Sequence, residues 1–339
     1  MKVLIEIGHP AHVHFFSRCI RTLKQKGHQV VVVTRNKEIT NQLLDQEEIE
    51  YRCLSTPRRG KLGLLFELLA RWFHITEIIL KEKIDLAVSI SGISTSFPAW
   101  FTGIKSYTFT DTEDANLTNI VAFPFSSQIV TPRFFLKGLG KKHICYDGLH
   151  ELAYLQEFDR EKASTIRRQL GFTEPYSIVR LVSNDALHDH DTKNLDTPGL
   201  RRLISALSRK GKVYISSQTP LSSEFRDHQL NIPITQIHAV LEGAQLFVGD
   251  SPTMAVESSL LGTPAYLVSP RIPRLGNMVH LDRDYNLLNC YLSWNDFWVA
   301  FSGVTELRHL KQEWTARSNK FLHACPSVSN FVTDMILNA

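Results

Sequence analysis

Between Val248 and Ala265 the chain reads Val-Gly-Asp-Ser-Pro-Thr-Met-Ala-Val-Glu-Ser-Ser-Leu-Leu-Gly-Thr-Pro-Ala. The chemistry this order suits is the holding of a phosphate beside a diol. Residues 244–248 are an apolar run of strand type, and 249–253 form a turn rich in helix-capping residues. An apolar helix then runs to Gly262, ahead of a second strand at 264–268. A helix that starts where a strand ends points free backbone N–H groups outward, and such groups bind anions. Asp250, Ser251, Thr253 and Met254 are therefore candidate phosphate contacts. Glu257, about one turn further on, offers a carboxylate to ribose hydroxyls. An ordinary capped helix would show the same turn, so other residues have to decide.

His12 lies in the segment Gly8-His9-Pro10-Ala11-His12-Val13-His14, read as a turn between a strand at 2–7 and a helix at 15–26 stopped by Gly27. A neutral imidazole accepts a proton near pH 7, which makes His12 a candidate base. Asp111-Thr112-Glu113-Asp114 follows a strand at 106–110 and belongs to the same sheet edge. Asp111 or Glu113 is the alternative base, with a helix-capping box as the competing reading. Arg180 and Ser183 close a strand at 177–182. There a guanidinium fork matches a diphosphate, unless it serves a structural salt bridge. His238 reads as the cap of the helix before 244–248, close to where a nucleotide base would lie.

Three clusters are set aside. His9, His12 and His14, and likewise 188–191 (His-Asp-His-Asp), lack the separated partner pairs that zinc sites use, so no metal ligands are assigned. Asp282-Arg283-Asp284 reads as a solvated loop. Ser251 lacks the second glycine of a nucleophile elbow and is read as a helix cap or phosphate contact.

The elements that must position these residues alternate between strand and helix. This calls for parallel sheets covered on both faces. Strands are expected at 3–7, 30–33, 50–53, 85–89, 106–110, 128–130 and 144–145, then at 177–182, 212–216, 246–248 and 265–268. A chain of 339 residues at 43% hydrophobic and 21% charged suits two globular domains. The net charge of +4 makes no case for nucleic acid. Five scattered cysteines are expected to be reduced thiols, mostly buried, in a cytoplasmic protein. The first residues read as a strand rather than a signal peptide, and no apolar run is long enough to span a membrane.

Several strings carry a resemblance. The pattern Glu257-x4-Gly262-x-Pro264 resembles the donor-binding signature of GT-B glycosyltransferases and UDP-sugar 2-epimerases. Ala11-His12-Val13 with Gly27 is similar in spacing to the first loop of the lipid II-forming glycosyltransferases, with Ala11 in place of their last loop glycine. Closer still to the family known as domain of unknown function 354 are 7–16 (IGHPAHVHFF), 146–155 (YDGLHELAYL), 249–254 (GDSPTM), and 180–183 followed by Asp185-Ala186 and His188-Asp189. The resemblance implies an α/β GT-B fold, with two Rossmann-like doubly wound domains facing a central cleft. Residues 1–155 would form an acceptor domain and 156–320 a nucleotide-sugar domain, with 321–339 a helix crossing back to the first. Gly8 and His9 join the donor contacts in this reading.

Residues 62–80 form an apolar helix with Glu67, Arg71 and Glu77 as its few charges, preceded by Arg58-Arg59-Gly60-Lys61. The segment 58–80 suits either peripheral contact with a membrane, at its inner face, or a well-buried helix beside a solvated basic loop. The reading reached is a metal-independent glycosyltransferase that requires no cofactor. It takes a UDP- or CMP-linked sugar as donor and a cell-surface glycan precursor or lipid-linked saccharide as acceptor. A non-hydrolysing UDP-sugar 2-epimerase and a non-catalytic binding protein are the alternatives.

Overall fold

The computed structural model describes residues 1–58, 60–182, 195–217, 219–301 and 307–339. The first part of the chain alternates regularly: β1 (Lys2–Ile7), α1 (Pro10–Gln25), β2 (Gln29–Arg35), α2 (Glu38–Gln46), β3 (Arg52–Ser55), α3 (Gly60–Glu82), β4 (Leu86–Ile90), α4 (Ser96–Thr102), β5 (Lys105–Phe109), α5 (Asn116–Ala122), β6 (Gln128–Pro132), β7 (His143–Tyr146) and α6 (Leu152–Leu155). The second part continues with α7 (Arg160–Gln169), β8 (Tyr176–Leu181), α8 (Thr197–Ser208), β9 (Lys212–Ser217), α9 (Ile237–Gly243), β10 (Leu246–Gly249), α10 (Pro252–Leu260), β11 (Ala265–Val268), α11 (Gly276–Arg283), β12 (Asn289–Tyr291), α12 (Trp294–Phe301), α13 (Leu307–Ala324) and α14 (Val328–Leu337). Two compact units result. Residues 1–156 and 326–339 form unit 1, and 157–325 form unit 2.

Each unit is built on one parallel sheet among the described residues. Unit 1 has the order β3-β2-β1-β4-β5-β6-β7 and unit 2 the order β12-β11-β10-β8-β9. Their central strands are near-continuous apolar runs, because helices cover both faces. β4, for example, is buried at every position from Leu86 to Ile90. In unit 2, Val179, Leu246 and Val248 of the sheet pack with Leu203, Ile215 and Phe297 in one core.

The strand order fixes where a ligand fits. In unit 1 the chain winds outward from β1 in one direction and from β4 in the other. In unit 2 the same reversal falls between β8 and β10. At such a switch point the adjoining loops diverge and leave a crevice beyond the strands' carboxyl ends. The register sets Glu6 beside Ser89 in unit 1 and Gly249 beside Arg180 in unit 2.

Several expectations are corrected. The segment 8–14 is not a turn. His9 is the N-cap of α1 and Pro10 its first residue, so His12 and His14 are helical. Proline fits there because its fixed φ suits a helix start, where its missing N–H has no intrahelical acceptor to lose. Asp282 and Arg283 end helix α11 rather than lying in a loop. β12 was not foreseen. Of the five free cysteines, Cys53 and Cys145 are exposed and Cys19 alone is fully buried.

Candidate functional site

In unit 2 the motif around Glu257 divides into structural and chemical parts. Gly262 follows α10 at φ 85°, a left-handed conformation that favours glycine. A Cβ there would also come within 3.0 Å of the Thr315 backbone on α13. Pro264 leads into β11, and its carbonyl accepts from Phe247 N–H at 2.9 Å. These two positions set the path of the chain. Glu257 is the one left for chemistry.

The Glu257 side chain is buried, and its Oε1 accepts a hydrogen bond from His238 Nε2 at 3.0 Å. His238 does not cap α9, contrary to expectation. Gln236 holds that position, and His238 is spent on orienting the carboxylate. Ser251 occupies the N-cap position of α10 but its side chain makes no capping bond. The first backbone bond of the helix runs from Ala255 N–H to Ser251 C=O, which leaves the N–H groups of Thr253 and Met254 ahead of the ladder.

Asp250 and Arg180 face each other across the switch point. Asp250 Oδ1 accepts from Val182 N–H at 2.9 Å and so ties the end of β8 to β10. Arg180 donates from Nη1 to Ser216 Oγ at 2.7 Å, while its Nε has no hydrogen-bond partner among the described residues. Burial lowers the guanidinium pKa and Asp250 opposes that effect. Gly249 permits this closeness, since a Cβ on it would lie 2.5 Å from the Arg180 carbonyl oxygen. Ser183 lies outside the described residues, as do Arg59 and the 188–191 cluster.

Unit 1 gathers ionisable groups at its own switch point. Gly8 N–H donates to His12 Nδ1 at 3.3 Å, and Ala11 N–H donates to His9 Nδ1 at 3.2 Å. Burial lowers the His12 pKa well below its ordinary value, helped by His9, His150 and Lys37, so the ring is neutral at pH 7. A neutral imidazole that accepts at Nδ1 carries its proton on Nε2. His12 therefore presents a donor, not a base, while the Gly8 bond holds.

Asp111 reaches this group through His150. Its Oδ1 accepts from the Thr112 hydroxyl at 3.0 Å, and its Oδ2 lies 3.9 Å from His150 Nδ1. The capping-box reading fails because α5 starts at Asn116 with Ala115 as an N-cap that has no side-chain bond. His150 links the two candidates. It stacks on Phe15 with ring centroids 4.6 Å apart and shares a 2.7 Å hydrogen bond with the Tyr146 hydroxyl. Its buried Nε2 has no partner among the described residues. Glu113, by contrast, is buried with Oε1 accepting from Leu136 N–H at 3.1 Å, and its carbonyl accepts from Lys137. That places it in the support of the segment after β6 rather than with His12.

The residues that sequence reasoning missed are buried ion pairs. Glu6 on β1 pairs with Arg71 on α3 and accepts from Ser94 Oγ at 3.2 Å. Its Oε1 reaches within 3.6 Å of where a Gly8 Cβ would stand. Arg35 pairs with Glu67, its Nε 2.8 Å from Oε1 and its Nη2 donating to Oε2 at 2.9 Å. Burial raises the Glu67 pKa, but Arg58 N–H, Ser55 and Arg35 together hold it below its ordinary value. The available signals were a charge inside an apolar strand (Glu6) and charges four apart in an apolar helix (Glu67, Arg71).

Two parallel sheets of this order, each with polar groups at its switch point, define a protein of the GT-B fold. Within that class, residues 1–286 match the family described as "Protein of unknown function (DUF354)", and the chain belongs to that family. Solved structures bear out the fold. The S. aureus MnaA–UDP complex is similar at TM-score 0.69 and 12% identity, covering 99% of this chain and 95% of that one. UDP-GlcNAc 2-epimerase from Neisseria meningitidis, bound to UDP-GlcNAc, gives 0.69 and 12%, covering 100% and 99%. MurG from Acinetobacter baumannii gives 0.57 and 14%, also covering 100% and 99%. No curated protein matches the chain by sequence. Among the described residues no helix is long and apolar enough to cross a membrane.

Proposed function

We propose that the chain transfers a glycosyl group from a nucleotide sugar, UDP- or CMP-linked, to a saccharide or lipid-linked acceptor of a cell-surface glycan. The observation that carries this reading is the buried Glu257 carboxylate, oriented by His238 beside the open N-terminus of α10. The carboxylate takes the ribose hydroxyls. The N–H groups of Thr253 and Met254, with Arg180, take the diphosphate and stabilise its charge as it leaves. Asp111 in unit 1 serves as the base toward an acceptor hydroxyl, and the Nε2–H of His12 donates to a substrate oxygen.

A second reading, 2-epimerisation of a UDP-sugar, is favoured by the number of ionisable groups in unit 1. Inverting a carbon requires a proton to be removed on one face and returned on the other, so two groups are needed. Asp111 and the His12–His150 pair supply them. Incubating the chain with UDP- and CMP-sugars, with and without saccharide acceptors, and following the sugar by NMR separates the two readings. Transfer predicts nucleotide release that depends on acceptor. Epimerisation predicts a second sugar with no acceptor present. If nucleotide binds but neither reaction occurs, the chain is a binding protein and the catalytic assignment is wrong.

A further inference from the structure

Helix α3 is amphipathic with its sides exchanged. Its buried residues are Glu67, Arg71, Ile75 and Ile79. Leu62, Phe66 and Phe73 are 71%, 59% and 68% exposed, although a soluble helix normally turns such residues to the core. The burial of Glu67 and Arg71 accounts for half of this pattern, since each is held by an ion pair from the sheet, to Arg35 and Glu6. That pairing turns the apolar side of the helix outward. The expectation of a well-buried helix is overturned.

The exposed face extends beyond one helix. Right-handed crossovers place α3, α4 and α5 on one side of the unit 1 sheet and α1 on the other. α3 packs on α4 through Trp72 and Phe97, stacked at 4.5 Å, and α4 continues the surface with the exposed Trp100 and Phe101. Ile120 of α5 is exposed as well. On the opposite side, α1 and α14 expose no large apolar side chain.

Charge selects the occupant. Between Arg58 and Lys81 the acids are Glu67, which is buried, and Glu77, which is paired with Lys81, so the outward side carries Lys61 and Lys81 against Glu77 alone. Lys142 adds a further cation at the rim. Its Nζ donates to the carbonyl of Pro124, beside Phe125, whose ring lies 5.1 Å from Trp100. A second copy of the chain would bring the same cations to this face, and its one exposed acid there, Glu77, is already paired with Lys81. An anionic bilayer supplies both an apolar phase and negative headgroups. We propose that the α3–α4 face of unit 1 is a docking surface for a membrane containing anionic lipid, on which α3 lies flat. This rests on the face itself and not on the reaction proposed above.

The test is sedimentation of the full chain with vesicles of phosphatidylcholine alone or mixed with phosphatidylglycerol. Wild type is expected to pellet with the mixed vesicles and to be released by salt. The triple variant Phe66→Ser, Phe73→Ser, Phe101→Ser and the double variant Lys61→Glu, Lys142→Glu should each lose binding on the order of tenfold or more. The triple variant removes only outward side chains, and a thermal melt checks its fold. The charge variant gives an independent reading should that fold fail. Absence of binding to mixed vesicles overturns the proposal, and so does equal binding to phosphatidylcholine. Dimerisation of wild type in ultracentrifugation that the triple variant abolishes would assign the face to a second copy instead.

Discussion

The two units use one architecture and furnish its critical edge differently. At the switch point of unit 1 stand Glu6, His12 and Arg71, with Asp111 and His150 close behind. All but the Arg71 guanidinium, which stays charged and pairs with Glu6, are groups that can gain or lose a proton. At the switch point of unit 2 stand backbone N–H groups, Arg180 facing Asp250, and the Glu257 carboxylate fixed by His238. These hold charge and hydroxyls in place. On the function proposed above, chemistry falls to unit 1 and binding to unit 2, since a proton-transfer site needs titratable neighbours and a phosphate cradle needs directed donors.

The sharpest way to break this division is to remove the groups of unit 1 and measure binding and turnover separately. Asp111→Asn should lower turnover by about 10²–10⁴ if the carboxylate is the base. His12→Ala should cost about 10²–10³ as the loss of a positioned donor. Nucleotide affinity measured by calorimetry should stay near wild type for both. A loss of affinity with turnover per bound complex unchanged would move these residues from chemistry to binding.

The converse experiment belongs to unit 2. Glu257→Ala should weaken nucleotide binding by about 1.5–3 kcal/mol, the scale of a hydrogen bond to a charged group. His238→Ala should reproduce part of that loss, because the carboxylate would lose the donor that orients it. Equal affinity in a folded Glu257→Ala protein removes the ribose assignment.

Two glycines make a smaller, structural comparison. Gly249→Ala puts a methyl 2.8 Å from Arg180 Cβ and nearer still to its carbonyl oxygen, so β8 and β10 must part. The expected loss is about 1–3 kcal/mol in urea unfolding, as for other overpacked positions. Gly8→Ala in unit 1 meets nothing closer than 3.6 Å and should leave stability nearly unchanged. Equal losses at both sites would show that tight strand contact does not distinguish the units.

Much of this was legible in the chain. Among the described residues eleven of the twelve strands were located, the central ones because strands buried on both faces need no alternation to be seen. The turn before Glu257 announced a helix at a sheet edge through Pro252 and Gly262. β12 escaped because three half-buried residues leave little pattern. The start of α1 was misplaced although His9-Pro10 is a legitimate helix opening, since proline read equally well as a turn. The ion pairs were illegible for a different reason. Glu6 and Arg71 lie 65 positions apart, and only the fold brings them together. The inversion of α3 follows from those pairs, so it could not be read either.

The last comparison concerns perturbed protons. In unit 1 the lowered histidine pKa values of His12 and His150 belong to the switch point and that of His143 to the edge strand β7, whereas in unit 2 Lys311 is pushed down to about 7 on α13, away from its switch point. Burial is the main cause, with Glu242 opposing and Arg160 and Arg167 adding to it. The ammonium donates to the Glu242 carbonyl at 2.6 Å and to Thr263, so it fastens α13 to α9 and the start of β11. An unfolded lysine keeps its proton up to about pH 10.5, while the folded one gives it up near 7. Between those values the unfolded state binds more protons, so raising the pH favours the folded state. The stability of wild type relative to Lys311→Met should therefore climb between pH 7 and 10, on the order of 1 kcal/mol per pH unit and no more than about 1.4. Buried Tyr176 and Cys290, both pushed up, work in the opposite sense but equally in the two proteins, so the difference between their urea unfolding curves isolates the lysine. Nucleotide affinity should be the same in both. If affinity instead followed the lysine's protonation, the displaced proton of unit 2 would belong to its site, and the division between a titrating edge and a binding edge would fail.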